Sequence, residues 1–192
     1  MTKIVLASGS PRRQELLQRI GITDFTIRVP QVEEWYPDDL SPAEIVSYIS
    51  REKSQAVPSD ADEIVITADT MVFLDDKRLG KPTDTEDALR MLTALAGRHH
   101  TVCTGVTVRQ GARIMTRSAS TDVYFRPATE EELRAYIQGG EPMDKAGAYG
   151  VQGQGALLVE RIDGDFFNVM GLPVLLLSRM LQEFGVTLLS LS

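Results

Sequence analysis

Three observations predict a mixed α/β fold. A short apolar run, Ile4-Val5-Leu6-Ala7, leads through Ser8-Gly9-Ser10-Pro11-Arg12-Arg13 into a helical pattern carrying Leu16, Leu17 and Ile20. Strand-like and helix-like segments then alternate along 192 residues, with turn signals between them and no repeat, low-complexity tract or Gly/Ser linker. Finally, Val102–Val108 and Ser118–Phe125 follow one another through Gln110-Gly111 as an antiparallel pair. That pair argues against a uniformly parallel, doubly wound sheet. The length suits one domain over 1–192, compact or built as two small lobes sharing a sheet.

The first strand ends in a loop of small residues whose amides can approach an anion, and the next helix presents its N-terminal partial charge at the same point. Ser10 is placed as N-cap and Pro11 as first helical residue. Arg12 and Arg13 then fall in a turn where the helix dipole favours acids, so an anionic ligand is expected there. Gly21 should end this helix, and Phe25 to Val32 alternates loosely as a strand running into Glu33-Glu34.

Ser41-Pro42-Ala43-Glu44 is a capping box that opens a helix to about Ala56. Its stripe includes Ile45, Val46 and Ile49, and Lys53 continues it, so Lys53 either meets an anion or snorkels from the stripe edge. Glu63 to Ala68 gives a buried strand, then Asp69-Thr70, a second run from Met71 to Leu74, and a turn at Asp75-Asp76-Lys77. An acid between two apolar runs sits at the mouth of a cleft or caps a local turn, and strand-end carboxylates commonly serve as bases and metal ligands.

Lys81-Pro82 closes that hairpin, and Thr83 to Glu86 has the form of a capping box for a helix through Leu89, Leu92 and Leu95 to Gly97. Thr129 and Glu132 cap a further helix to Ile137. From Met143 to Gly153, glycines and small residues surround Lys145, Tyr149 and Gln152, a composition that brings backbone close to something. Ala156 to Ile162 is expected as a strand, and Pro173 to Phe184 as a terminal helix with Leu176, Leu177 and Leu181 facing inward. Phe166 and Phe167 fit a core or an interface better than a base-stacking platform.

Twenty Lys and Arg against 27 Asp and Glu give a net charge of −7, which excludes general adhesion to nucleic acid or acidic membrane. An acidic chain that holds a polyphosphate needs a divalent metal between carboxylates and phosphate oxygens. Cys103 is the only cysteine, so no intramolecular disulfide forms, and it reads as a small buried hydrophobe. The first apolar run is too short for a signal-peptide core and no stretch reaches membrane-spanning length, so a cytoplasmic location is expected. His99 and His100 point to opposite faces of a strand without a matching Cys/His set, and are expected in an exposed helix-to-strand connection.

In order, Ser8-Gly9-Ser10-Pro11-Arg12-Arg13, Glu33-Glu34, Lys53, Ala68-Asp69-Thr70, Gly80-Lys81-Pro82, Asp144 to Gly153 and Gly171-Leu172-Pro173 resemble the Maf nucleotide pyrophosphatases over nearly the whole chain. The resemblance implies a fold similar to the inosine triphosphatases, an elongated mixed sheet flanked by helices with two lobes around a central cleft. It implies hydrolysis of a nucleoside triphosphate to the monophosphate and pyrophosphate. Arg12, Thr70 and Gln152 match the selectivity positions of the subgroup acting on dTTP and UTP, whereas the subgroup acting on 7-methyl-GTP has Trp, Gln and Glu there.

On that resemblance Ser8, Ser10, Arg12 and Arg13 bind phosphate, while Thr70 and Gln152 select the base. Lys53 and Lys81 close around the same charge. Asp69 is the candidate general base or metal ligand, with Glu33 as metal ligand or second base, Glu34 as a weaker companion, and Mg²⁺ or Mn²⁺ as the cofactor. Family members are also regarded as septum-formation inhibitors, and a homodimer is consistent with the family. A nucleotide-binding regulator without hydrolysis, or the same reaction on 7-methyl-GTP or modified pyrimidines, are the alternatives.

Overall fold

In the computed structural model, which describes residues 2–190, the chain forms a seven-stranded mixed sheet with helices packed on it. The first parallel strands are β1 (Lys3–Leu6), β2 (Thr26–Ile27) and β3 (Glu63–Leu74), with β1 pairing both others. The remaining strands are β4 (Lys77–Leu79), β5 (His99–Gln110), β6 (Arg113–Phe125) and β7 (Val159–Asp163), giving the order β2-β1-β3-β5-β6-β7 with β4 antiparallel to β3. β7 runs antiparallel to β6. The helices are α1 (Pro11–Arg19), α2 (Pro42–Ala56), α3 (Thr85–Leu95), α4 (Glu130–Gln138), α5 (Phe166–Met170) and α6 (Val174–Glu183). The mixed α/β class expected from the sequence is borne out.

The chain divides into two compact units. The first holds residues to Thr70, Thr104–Ala119 and those from Gly171 onward, and the second holds Met71–Cys103 and Ser120–Met170. In the first, Val5, Ala7, Val57 and Val65 form a small fully buried cluster. In the second, the α3 stripe of Leu89, Leu92 and Leu95 packs with Val72, Phe125, Leu133 and Tyr149.

The local capping signals act as expected. Ser10 accepts from the Arg13 amide, and Ser41 with Glu44, and Thr129 with Glu132, form complete capping boxes. Cys103 is buried, as expected. Among the described residues no helix is long and apolar enough to cross a membrane.

Other expectations need correction. The strand proposed for Phe25–Val32 shrinks to Thr26–Ile27, because Pro30 offers no amide to a ladder and Val29 is exposed. Glu33 and Glu34 therefore sit in a loop well past the strand. α3 is capped by Asp84, which accepts from the Asp87 amide, rather than by Thr83, whose own amide bonds the Asp87 carboxylate. The strand expected from Ala156 begins at Val159, since Gln154–Leu158 winds as a 3₁₀ turn. Met180 replaces Leu176 on the buried stripe of α6. His100 is buried inside β5, where its Nε2 lies 2.7 Å from the Tyr149 hydroxyl, and only His99 is exposed.

Candidate active site

β3 is buried along almost all of its length, with Thr70 its only half-buried residue. Asp69 does not interrupt this strand as the sequence suggested. The strand continues, and it is the neighbours that change: β1 pairing stops at Ile66 and β4 pairing starts at Val72. Asp69 and Thr70 lie in the stretch between, paired by neither, and they point to opposite faces.

On one face, α2 is set against β3 and β5 by polar contacts within the first unit. Thr67 donates to the Ser50 carbonyl at 2.7 Å, and the Ser50 hydroxyl lies 2.6 Å from that of Thr107. Gly105 permits the close approach, because a Cβ there would collide with the Val46 carbonyl of α2. Arg109 donates to the Ser54 and Val57 carbonyls at 2.9 and 2.7 Å, satisfying the open end of α2. This fixed final turn carries Lys53, whose side chain is 17% exposed and whose ammonium meets Asp69 Oδ1 at 2.6 Å and Glu34 Oε1 at 3.4 Å. Of the two readings of Lys53, the structure selects the one in which it meets an anion.

On the other face, Thr70 is held by Arg13 of α1. Arg13 donates to Ser8 Oγ at 3.2 Å, to Thr70 Oγ1 at 3.1 Å and, through Nε, to the Gly171 carbonyl at 2.8 Å. Thr70 in turn donates to the Gly171 carbonyl at 3.3 Å and lies 2.8 Å from the Thr104 hydroxyl. Ser8 Oγ also accepts from the Ser10 amide, so the loop is drawn inward around one hydroxyl. Three N–H directions of the Arg13 fork are thus spent on position, which a lysine could not reproduce.

Asp69 is 4% exposed. Burial pushes its carboxyl above the usual aspartate value, against the opposing pull of Lys53 and Arg13. Burial likewise lowers the Arg13 value, with Asp69 acting the other way. Asp69 Oδ2 is buried and makes no hydrogen bond among the described residues. A carboxylate oxygen in that condition is costly unless a cation or a donor belongs there. Among the described residues no three His, Cys, Asp or Glu side chains converge as a metal cage.

The structure therefore brings Ser8, Ser10, Arg13, Thr70, Lys53 and Asp69 into one region of the first unit, with Glu34 beside Lys53. Arg12 is half-buried next to Arg13 and Glu33 is exposed, neither making a side-chain hydrogen bond or ion pair among the described residues. Lys81 and Gln152 belong to the second unit and are both exposed. Sequence reasoning missed the Gly171 carbonyl, Thr104 and Glu141. A backbone acceptor and a threonine in an apolar strand leave no pattern. Glu141 adjoins the singled-out Met143–Gly153 stretch and was legible only as another acid.

The family model described as Maf-like protein matches residues 3–184 of the chain. A dTTP/UTP pyrophosphatase of Bacillus velezensis is 48% identical over 188 residues, covering 97% of this chain and 99% of that protein. A dTTP/UTP pyrophosphatase of Carboxydothermus hydrogenoformans is 49% identical over 187 residues, covering 95% of this chain and 99% of that protein. Among solved structures, a HAM1 protein from Coxiella burnetii aligns with a TM-score of 0.52 at 13% identity, covering 95% of this chain and 100% of that one, a likeness of fold alone.

Proposed function

The chain belongs to the Maf family, and on that premise we propose that it hydrolyses dTTP and UTP to the monophosphate and pyrophosphate, acting in the cytoplasm as a single domain over residues 1–192. The observation that carries this reading is the buried Asp69 carboxylate, fixed through one oxygen by Lys53 and unpartnered at the other, within the electrostatic reach of an Arg13 guanidinium already locked in place. Binding a phosphate needs cations and amides. A buried acid among them adds the means to activate water.

In the reaction, a water oxygen bonds to the α phosphorus while the α–β bridging bond breaks and pyrophosphate leaves. Asp69 Oδ2 takes the proton from that water. Burial raises its value above that of an ordinary aspartate, which makes its carboxylate a better base, while Lys53 and Arg13 pull the other way. The Ser8–Arg13 loop receives the phosphates through hydroxyls and amides, with Arg13 as the charged clamp, Arg12 beside it and Lys81 as a further cation. Losing a cation that meets only transition-state charge costs about 3 kcal/mol. Gln152, with one donor and one acceptor, complements the carbonyl and N3–H of uracil or thymine. Thr70 acts on selectivity through Arg13, since its hydroxyl is already engaged.

A hard divalent cation such as Mg²⁺ or Mn²⁺ would be held by the Glu33-Glu34 pair, phosphate oxygens and water while Asp69 Oδ2 acts as base; were the ion to take that oxygen instead, Glu33 would be the second base. When bound, such an ion neutralises phosphate charge and lowers the pKa of water.

A panel of nucleoside triphosphates with Mg²⁺ or Mn²⁺ tests the reading, with monophosphate and pyrophosphate measured together. Equal amounts of both from dTTP and UTP, abolished by a chelator, are expected. Orthophosphate release, binding without turnover, or preference for 7-methyl-GTP would overturn it. Gel filtration across a concentration series tests the homodimer proposed from family membership.

A further inference from the structure

Glu141 lies outside the reaction centre, half-buried in the second unit, yet its carboxylate accepts three hydrogen bonds. Oε1 accepts from the Tyr136 hydroxyl at 2.8 Å and from the Gly155 amide at 3.1 Å, and Oε2 accepts from the Gln154 amide at 3.0 Å. The Tyr136 hydroxyl also accepts from the Gly150 amide at 3.2 Å. Gln152 is therefore bracketed: backbone amides on both sides of it are tied to one carboxylate and the phenol that carboxylate holds. The segment comes so close that a Cβ at Gly153 would collide with Glu141 Oε2. Burial opposes ionisation of Glu141, but the Tyr136 hydroxyl and the two amides outweigh it and hold the carboxyl below the ordinary glutamate value.

A side-chain amide discriminates bases only if it reaches the base edge from one place. A glutamine on a loose loop can shift to meet the donor and acceptor of cytosine as readily as those of uracil. We propose that Glu141, with Tyr136, is a positioning residue for base selection: it fixes the 150–155 backbone in one register, so that the Gln152 side chain starts from one position, the one that suits a uracil or thymine edge better than cytosine. The inference rests on the base-reading role proposed above for Gln152. Glu141 itself does not touch the nucleotide.

The test compares Glu141→Gln, Tyr136→Phe, Gln152→Ala and the double variant Glu141→Gln/Gln152→Ala in UTP and CTP hydrolysis, with amide hydrogen exchange followed over residues 145–155. Glu141→Gln sets a side-chain NH₂ against the Gln154 amide. It is expected to raise KM for UTP about tenfold, to lower the UTP-over-CTP preference by a similar factor, and to change kcat less than about threefold. Tyr136→Phe deletes one hydroxyl, keeps the ring in its core, and is expected to move the same quantities the same way by less. The double variant should lose no more preference than Gln152→Ala alone, because both changes act through one contact. Faster exchange in the segment should accompany the loss.

An unchanged preference in Glu141→Gln and Tyr136→Phe, while Gln152→Ala lowers it, overturns the positioning role alone. A loss in the double variant that sums the two single losses does the same. An unchanged preference in Gln152→Ala overturns the base-reading role, and the positioning role for selection falls with it.

Discussion

The region around Asp69 and the segment that follows Glu141 both gather polar groups around a carboxylate, by opposite means. Around Asp69, side chains from regular elements meet as charges and hydroxyls: Lys53 from α2, Arg13 from α1, and Thr70 from β3. In the 141–155 segment, backbone amides gather around one carboxylate, in single 3₁₀ turns without long elements. The first arrangement stores electrostatic potential, since a buried carboxylate is left with one bare oxygen. The second stores shape, since every oxygen of Glu141 is used. Chemistry needs the former and discrimination the latter.

The largest effect that would sharpen this contrast is expected from Asp69→Asn. Pyrophosphate release should fall by about a thousandfold while thermal unfolding stays cooperative, because the amide keeps the volume but accepts no proton. Near wild-type turnover would dissolve the distinction between the two regions. In the wild-type enzyme, the acid limb of kcat/KM should lie above the ordinary aspartate value of 3.8, activity falling as pH drops through it.

Arg13→Lys comes next. It keeps the charge and loses the fork that engages Ser8, Thr70 and the Gly171 carbonyl together. A fall of about a hundredfold in kcat/KM is expected, and a change within about twofold would mean that charge alone suffices there. Gln152→Glu should act on the other region, lowering UTP turnover about tenfold through a lost amide donor with little change in melting temperature. Unchanged UTP selectivity would remove Gln152 from recognition.

The smallest effects are in acid stability, and they separate the two units. In the second, burial lowers the His100 value from 6.5 to about 4, so the folded state keeps it neutral. The unfolded chain then binds the proton first, and that stability, full above pH 6.5, is lost as pH falls toward about 4. In the first unit, bidentate Arg28, at 2.6 and 2.7 Å, with the Asp60 amide, holds Glu63 at about 2 against an ordinary 4.5. Its contribution is full above pH 4.5 and is lost only as pH falls toward about 2. Denaturant midpoints followed from pH 7 to 3 should therefore decline first through His100, and His100→Gln should flatten that part of the curve. An unaltered slope in that variant would assign the acid loss elsewhere.

Legibility differed between the regions for the same physical reason that their structures differ. The Ser10, Ser41 and Thr129 caps were readable because a capping bond spans only a few neighbouring residues. Helical periodicity put Lys53 on the stripe of Ile45 and Ile49 but left open whether it met an anion or snorkelled, which only the contact with Asp69 decided. The Glu33-Glu34 pair was not resolved by pattern, as the supposed strand before it dissolves at Pro30, and Glu34 is the one beside Lys53. Nor could Asp69 be placed correctly. A residue that looks like a break in a strand is a residue whose neighbouring strand has ended, and a neighbour's end is not written in the strand itself.

By itself the sequence determined the mixed α/β class, most helix starts and the identity of the charged residues, since these follow from interactions among residues a few positions apart. Tertiary structure alone decided that Lys53 meets Asp69, that Thr70 serves Arg13 and that Glu141 gathers the amides around Gln152. Those bonds join positions far apart along the chain, and their partners include backbone groups that every residue carries, so only packing could choose among them.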